Sequence, residues 1–153
     1  MAQTETPAII VETIVIEAPP SAVFAALTEP EQLAQWWGSE DSYHVTTMVA
    51  DLRVGGAWKT SGQGRDGKPF TVSGVYRIVE PPHVIEFTWT HDFYDGAVES
   101  ETLVRYDLEE LGGSTQLRLT HSGFTTSEDR EDHATGWKTV LSWLKEHVTL
   151  RST

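Results

Sequence analysis

The segment Thr125–Leu150 reads TTSEDREDHATGWKTVLSWLKEHVTL, and its apolar residues are spaced as on a helix. When successive residues are placed 100° apart, one side of that helix collects most of the apolar side chains. This side carries His133, Trp137, Val140, Leu141, Leu144 and Val148. The opposite side carries Lys138, Thr139, Ser142, Lys145 and Glu146. The pattern predicts an amphipathic helix of about six turns, ~34 Å long. A capping box at Thr125–Glu128 or Thr126–Asp129 would start it.

The residues before this helix predict a β-sheet. From Tyr43 to Phe124, short runs of strand-forming residues alternate with turn signals. The turn signals are Gly55-Gly56, Asp66-Gly67, Pro81-Pro82, Asp95-Gly96 and Gly112-Gly113. Ile9–Glu17 adds a first strand, and Met1–Pro7 is expected to be a frayed tail. Together these segments predict about seven strands in one antiparallel sheet.

Two short helices are predicted between the first strand and the others. The pair Pro19-Pro20 ends the strand and precedes an alanine-rich helix over Ser21–Leu27, since proline fits a first helical turn. The capping-box spacing of Thr28 and Glu31 predicts the start of a second helix.

The second helix carries Leu33 and the pair Trp36-Trp37 and is expected to stop at Gly38. Because consecutive helical residues lie 100° apart, one tryptophan should pack inward while the other gates a cavity or lies at an interface. The element order predicts an α+β, helix-grip arrangement, in which a curved antiparallel sheet wraps around the long C-terminal helix. At 153 residues, the chain is expected to form a single domain over residues 1–153.

Charged residues predict which side of each strand faces water, because neighbouring strand residues point to opposite faces. The residues that mark the outside are Arg77, Glu86, Arg105 and Arg118. The inward set is then Val72, Gly74, Tyr76, Ile85, Phe87, Trp89, Thr102, Val104, Tyr106, Leu108, Leu117, Leu119 and His121, with Trp58 added. Since one helix cannot cover a concave sheet completely, we expect an aromatic-lined cavity between sheet and helix. The alternative is that these aromatic residues simply fill the core.

Two glycines bear on that cavity. Gly74 lies inside a strand, where it leaves a gap in the inward layer or marks a close approach of backbone. Gly136 lies inside the long helix, where it costs about 1 kcal/mol relative to alanine. It is expected either to make room for a ligand or for a bend beside Trp137, or to let the helix pack closely on Trp36 or Trp37.

Composition excludes several classes of function. The chain has 23 acidic and 11 basic residues and a net charge of −12, and its bases are scattered, which argues against nucleic-acid binding. No apolar run is long enough for a membrane span, and no export signal is evident. Cysteine is absent, which excludes disulfides and thiolate metal sites and fits a cytoplasmic location.

A set of short motifs resembles a known family. The motifs are Ala18–Phe24, Leu27–Pro30, Trp36–Gly38, Asp51–Gly56, Gly74–Tyr76, Thr120–Phe124 and Gly136-Trp137. Over about residues 9–150 they resemble the START-like (SRPBCC) helix-grip superfamily, in the branch related to the heat-shock protein 90 ATPase activator. The resemblance implies a cavity between the sheet and the C-terminal helix that binds apolar molecules or lipids in many members, and a link to chaperones and the stress response. It does not supply a substrate, because the superfamily spans binders, cyclases, resistance proteins and co-chaperones.

No catalytic residue, metal site or cofactor is predicted. The six histidines form no pair with metal-ligand spacing, and no inward carboxylate pair, nucleophile elbow, phosphate loop or dinucleotide fingerprint is present. Asp51 and Arg53 are expected to pair with each other. His121 and His133 are expected at the mouth of the cavity as a pH-sensitive polar grip, or else as hydrogen-bonded residues at the ends of their elements.

The sequence therefore predicts a binder of an apolar small molecule. The residues expected to contact the ligand are Trp37, Trp58, Trp89, Tyr106, His121, His133, Trp137 and Leu141. Two alternatives stay open: a cyclase- or hydrolase-like enzyme that uses the same cavity, and a module that docks on a chaperone ATPase. A homodimer also stays open.

Overall fold

The computed structural model describes residues 9–37, 44–63, 69–92, 101–124 and 127–151. Its strands are β1 (Ile9–Ile16), β2 (His44–Ala50), β3 (Ala57–Gln63), β4 (Pro69–Glu80), β5 (Val84–Asp92), β6 (Thr102–Leu111) and β7 (Ser114–Ser122). Its helices are α1 (Pro20–Thr28), α2 (Pro30–Trp36) and α3 (Ser127–Arg151). The predicted α+β fold, with seven strands, two short helices and a long C-terminal helix, is confirmed. The expected tail, the turns at Asp66-Gly67 and Asp95-Gly96, and both residues predicted to cap α3 lie outside the described residues.

All seven strands form one antiparallel sheet in the order β1-β7-β6-β5-β4-β3-β2. The first two strands in the sequence are therefore at opposite edges of the sheet. The segment that joins them holds α1 and α2, so these helices must cross the sheet. α2 packs beside β2, and α3 packs beside β1.

The predicted inner face of the sheet is confirmed. The alternate residues Leu117, Leu119 and His121 on β7 have no exposed surface, and Val104 and Tyr106 on β6 are equally buried. The predicted apolar side of α3 is buried as well, and residues 138, 139, 142, 145 and 146 on its other side are exposed. Within the parts of the chain that the structure describes, none of the helices combines the length and apolar character that a bilayer crossing requires.

The start of α2 differs from the prediction. The residue at the N-cap is Glu29, not Thr28, and Pro30 follows in the first turn. Thr28 remains in α1, where its hydroxyl donates to the carbonyl oxygen of Phe24 at 2.8 Å. Because Thr28 is the last residue of α1 and α2 has no side-chain cap, the predicted capping box does not form.

Gly74 marks a close approach of backbone rather than a gap. It pairs with Trp58 on β3, and a Cβ at this position would overlap the carbonyl oxygen of Thr88 and lie 2.6 Å from Trp58 Nε1. The Trp58 indole donates to that same carbonyl at 3.2 Å. The space that a side chain would take is therefore filled by the indole.

Gly136 lies on the exposed side of α3, and a Cβ there would meet nothing within 4 Å. Two of the explanations offered for it are therefore wrong: the glycine neither makes room for a ligand nor lets the helix pack closely on a tryptophan. Nothing in the structure explains this glycine.

Candidate functional site

A cavity lies between the inner face of the sheet and the two short helices. Its empty space is about 440 Å³, part of it open to solvent. The lining comes from seven of the ten elements or their ends: Leu27, Leu33, Trp37, Met48, Trp58, Thr60, Tyr76, Phe87, Trp89 and Tyr106. As it stands, the enclosed part of the cavity accepts a small group.

This cavity does not lie where the sequence placed it. No residue in the described part of α3 is among those that line it; the helix beside β2 is α2, and α1 packs on β6 and β7. α3 contacts residues of the cavity wall without lining the cavity itself. The Trp137 ring lies 5.7 Å from Trp37, 5.6 Å from Trp89 and 6.2 Å from Tyr106, measured between ring centroids.

Four of the eight predicted ligand-contacting residues line the cavity: Trp37, Trp58, Trp89 and Tyr106. The other four, His121, His133, Trp137 and Leu141, do not line it. Sequence reasoning did not name Leu27, Leu33, Met48 or Thr60, and it placed Tyr76 and Phe87 inward without assigning them to the site. Thr60 could have been found, since it lies two residues from Trp58 and so shares its face of β3.

Aromatic rings form most of the wall. The Trp58 ring lies 5.3 Å from Phe87 in an edge-to-face arrangement and 5.6 Å from Trp89, and Trp37 lies 6.0 Å from Trp89. Gly74 allows the Trp58 and Trp89 rings to contact each other, because it lies between the two residues in the sheet and has no side chain. The predicted division between the two adjacent tryptophans is confirmed. Trp36 is buried, with its Nε1–H donating to Ala26 at 2.8 Å, and half-buried Trp37 faces the cavity.

Polar groups in the lining are few and uncharged. Burial, and secondly the charge of Asp51, raise the pKa of Tyr76 to about 12, so its hydroxyl stays protonated. Thr60 Oγ1 and Trp89 Nε1 are buried without a hydrogen-bond partner in the described chain. The carboxylate of Asp51 itself pairs with Arg53 at 2.8 Å, as predicted, in the exposed segment between β2 and β3 rather than on a strand.

His121 is a structural residue rather than a group at the cavity mouth. Its ring is fully buried. Trp137 Nε1–H donates to Nδ1 at 2.8 Å, and because an indole nitrogen can only donate, the His121 proton must be on Nε2. That Nε2–H lies 2.7 Å from Thr102 Oγ1, whose own proton is directed to the carbonyl oxygen of Trp89 at 3.2 Å. The chain of hydrogen bonds joins α3, β7, β6 and β5.

The surroundings of His121 oppose its protonation. Burial, and secondly the charge of His133, lower the pKa of His121 to about 3. The His133 ring lies 5.5 Å from His121 and 5.0 Å from Phe124, so both histidines belong to the packing between α3 and the end of β7. The expectation of a pH-sensitive grip by His121 at an opening is therefore wrong, since the ring has no exposed surface.

Solved structures share this architecture. Protein CV1439 from Chromobacterium violaceum is 26% identical, with a TM-score of 0.82 over 94% of this chain and 99% of that one. A protein from Silicibacter pomeroyi (SPO3351) is 28% identical, with the same TM-score and coverage. DynU16, a protein in the dynemicin biosynthetic locus, is 19% identical with a TM-score of 0.74, and this chain covers 94% of its own length but 48% of DynU16, so the likeness shows the fold alone.

One curated relative matches a shorter stretch. Over 76 residues the chain is 33% identical to the DNA repair protein REV1 of Arabidopsis thaliana, which is 50% of this chain but 7% of that protein. Because the match covers so little of REV1, it gives no support for a role of this chain in DNA repair. The resemblance drawn from the motifs is confirmed by a family model that matches residues 17–149 of the chain. The chain belongs to the family described as activator of Hsp90 ATPase homolog 1-like protein.

Proposed function

We propose that the protein binds an uncharged, largely apolar small molecule in the cavity beneath α1 and α2. The observation that carries the proposal is the wall itself, in which tryptophan, phenylalanine, leucine and methionine side chains surround space open to solvent. Burial of apolar ligand surface releases roughly 25 cal/mol per Å². A ligand that buries about 200 Å² of its apolar surface in such a site gains roughly 5 kcal/mol of binding free energy before the costs of association.

Binding without turnover is the function that this lining favours. No carboxylate, imidazole, amine or guanidinium is among the described residues that line the cavity. General acid–base catalysis works best with a group whose pKa lies near the working pH. The Tyr76 hydroxyl, with a pKa of about 12, is a poor general base at neutral pH.

Thermal unfolding of the purified protein against a panel of lipids, polyketides and small aromatic compounds tests the proposal. A ligand at 100 times its Kd stabilises the folded state by about 2.7 kcal/mol. For a domain of this size that corresponds to a rise in Tm of roughly 5–10 °C. Native mass spectrometry of the same preparation would detect a co-purified compound. A panel that leaves Tm unchanged, with no added mass, would refute the proposal.

Two adjacent residues of β2 offer a matched pair of variants that locates the site. Met48 is half-buried and lines the cavity, whereas Val49 is 55% exposed and points to the other face. Met48→Trp should occupy ligand space and weaken binding more than tenfold. Val49→Trp adds the same side chain outside and should leave affinity unchanged. Equal affinities in both variants would place the binding site elsewhere.

A further inference from the structure

Two polar side-chain atoms of residues that line the cavity have no hydrogen-bond partner in the described chain. The same groups in the other buried tryptophan and threonine residues are hydrogen-bonded. The buried tryptophans Trp36, Trp58 and Trp137 all donate their indole N–H. Trp89, which is 8% exposed, does not. Its indole is thus the exception among the buried tryptophans of the described chain.

The buried threonines follow the same pattern. Thr28 and Thr115 donate to backbone carbonyl oxygens, and Thr88 accepts from the backbone N–H of Val75. Thr60, which is 3% exposed, makes no hydrogen bond to the described chain. A buried polar group without a partner destabilises a protein by about 1–3 kcal/mol. Both exceptions, Trp89 and Thr60, line the cavity.

The two atoms lie within reach of one ligand. Val72 on β4 pairs with Thr60 on one side and with His91 on the other, and Trp89 is two residues from His91. Two strand spacings and a two-residue offset put the Cα atoms of Thr60 and Trp89 about 12 Å apart on the same face of the sheet. Both residues line the same cavity, so one ligand there can contact both of them.

The chemistry of these atoms limits what can meet them. An indole N–H only donates, so Trp89 requires an acceptor, whereas the Thr60 hydroxyl can donate or accept. Among the described residues no cation lines the cavity to offset a negative ligand, and the charge of Asp51 already acts on Tyr76 within it. Moving a charged group into such surroundings is costly, so the acceptor must be a neutral oxygen.

We propose, on the basis of the proposed function, that the cavity selects an uncharged ring compound with a carbonyl or hydroxyl oxygen that accepts from Trp89 Nε1–H, while Thr60 Oγ1 meets a second polar atom. The aromatic wall stacks on the rings. A pure hydrocarbon of the same shape leaves both atoms unsatisfied.

Matched pairs of neutral compounds test this: tetralone with tetralin, fluorenone with fluorene, and acetophenone with ethylbenzene. Each ketone has nearly the shape of its hydrocarbon and adds one acceptor. By calorimetry on the intact protein we expect the ketones to bind about tenfold more tightly, as one hydrogen bond of ordinary strength would give. In NMR titrations, the ketone but not the hydrocarbon should move the Trp89 indole N–H resonance downfield.

Variants assign the effect to named atoms. Trp89→Phe keeps a ring but removes the donor, so the preference for the ketone should vanish while the hydrocarbon still binds. Trp143→Phe makes the same chemical change on α3, outside the cavity lining, and should retain the preference. At least one hydroxytetralone should bind more tightly than tetralone, and Thr60→Val should abolish that gain. The NMR titration of the unmodified protein decides the matter even if Trp89→Phe fails to fold.

The outcomes separate this inference from the proposed function. If ketone and hydrocarbon bind equally, or if the preference persists in Trp89→Phe, the inference is overturned and the proposed function stands. If no hydroxytetralone gains over tetralone, the assignment to Thr60 is overturned. If no compound of any pair binds, the proposed function fails, and the inference fails with it.

Discussion

Lowering the pH from 8 to 5 should destabilise the folded protein by about 2 kcal/mol through His121 alone. Protonation of the buried ring would place a new Nδ1–H against Trp137 Nε1–H, the group that now donates to Nδ1. The folded protein therefore resists protonation, and the pKa of His121 falls from 6.5 to about 3, first because of burial and secondly because of His133. The unfolded chain has no such resistance.

The sign follows from which state takes up the proton. Between pH 6.5 and about 3 the unfolded state binds a proton at this residue and the folded state does not. Acidification in that window therefore favours unfolding by about 1.36 kcal/mol per pH unit. Above pH 6.5 the contribution of His121 is fully present, and below about pH 3 the loss is complete. Because pH 5 lies about one and a half units below 6.5, the free energy of unfolding falls by about 2 kcal/mol.

Urea unfolding of the native protein and of His121→Gln, at pH 8 and at pH 5, measures this contribution. The glutamine amide can still donate to Thr102, although Trp137 loses its acceptor, so the variant should be less stable at pH 8. The difference in unfolding free energy between the two proteins should shrink by about 2 kcal/mol at pH 5. Carboxylates common to both proteins cancel, and the same substitution at exposed His83 controls for the loss of a histidine as such. A difference independent of pH, or an NMR titration of the His121 ring near pH 6.5, would refute the reasoning.

Three further substitutions test the packing around the site by denaturant unfolding. Gly136→Ala should raise the free energy of unfolding by about 1 kcal/mol, because the position is helical, exposed and clear of neighbours; a loss of stability would contradict that placement. Gly74→Ala should lower it by about 3 kcal/mol, since the new methyl group overlaps Thr88 and the Trp58 indole, and an unchanged midpoint would show that the sheet opens there without cost. Thr60→Val should raise it by about 1 kcal/mol by removing a buried hydroxyl without a partner; a marked destabilisation would mean that this hydroxyl is bonded in solution.

The inner and outer faces of the strands were predictable because charged residues mark the outer face. Glu86, Arg105 and Arg118 each occupy the outer side of a strand, and alternation then fixes the inner side without knowledge of the partners. The apolar side of α3 was predictable for the same local reason. These parts of the fold depend on spacing within a single element.

The position of the cavity was not predictable, because it depends on pairing between distant elements. β1 pairs with β7, and this places β1 and β2 at opposite edges of the sheet. α1 and α2 must then cross the sheet, where α1 packs on β6 and β7 and α2 packs beside β2, whereas α3 packs beside β1. No spacing in the sequence encodes that order. For this reason Trp137 and Leu141 were expected to line the cavity, and Leu27 and Leu33 were not named.

The pairing of β1 with β7 also has a consequence during biosynthesis. Ile9 lies opposite Ser122, so the first strand leaves the ribosome about one hundred residues before its only neighbour in the sheet is made. At usual rates of translation this interval lasts roughly 5–20 s. Throughout that time the apolar residues Ile10, Ile14 and Ile16 lack the strand with which they pair, so their side chains stay available for contacts outside the native sheet.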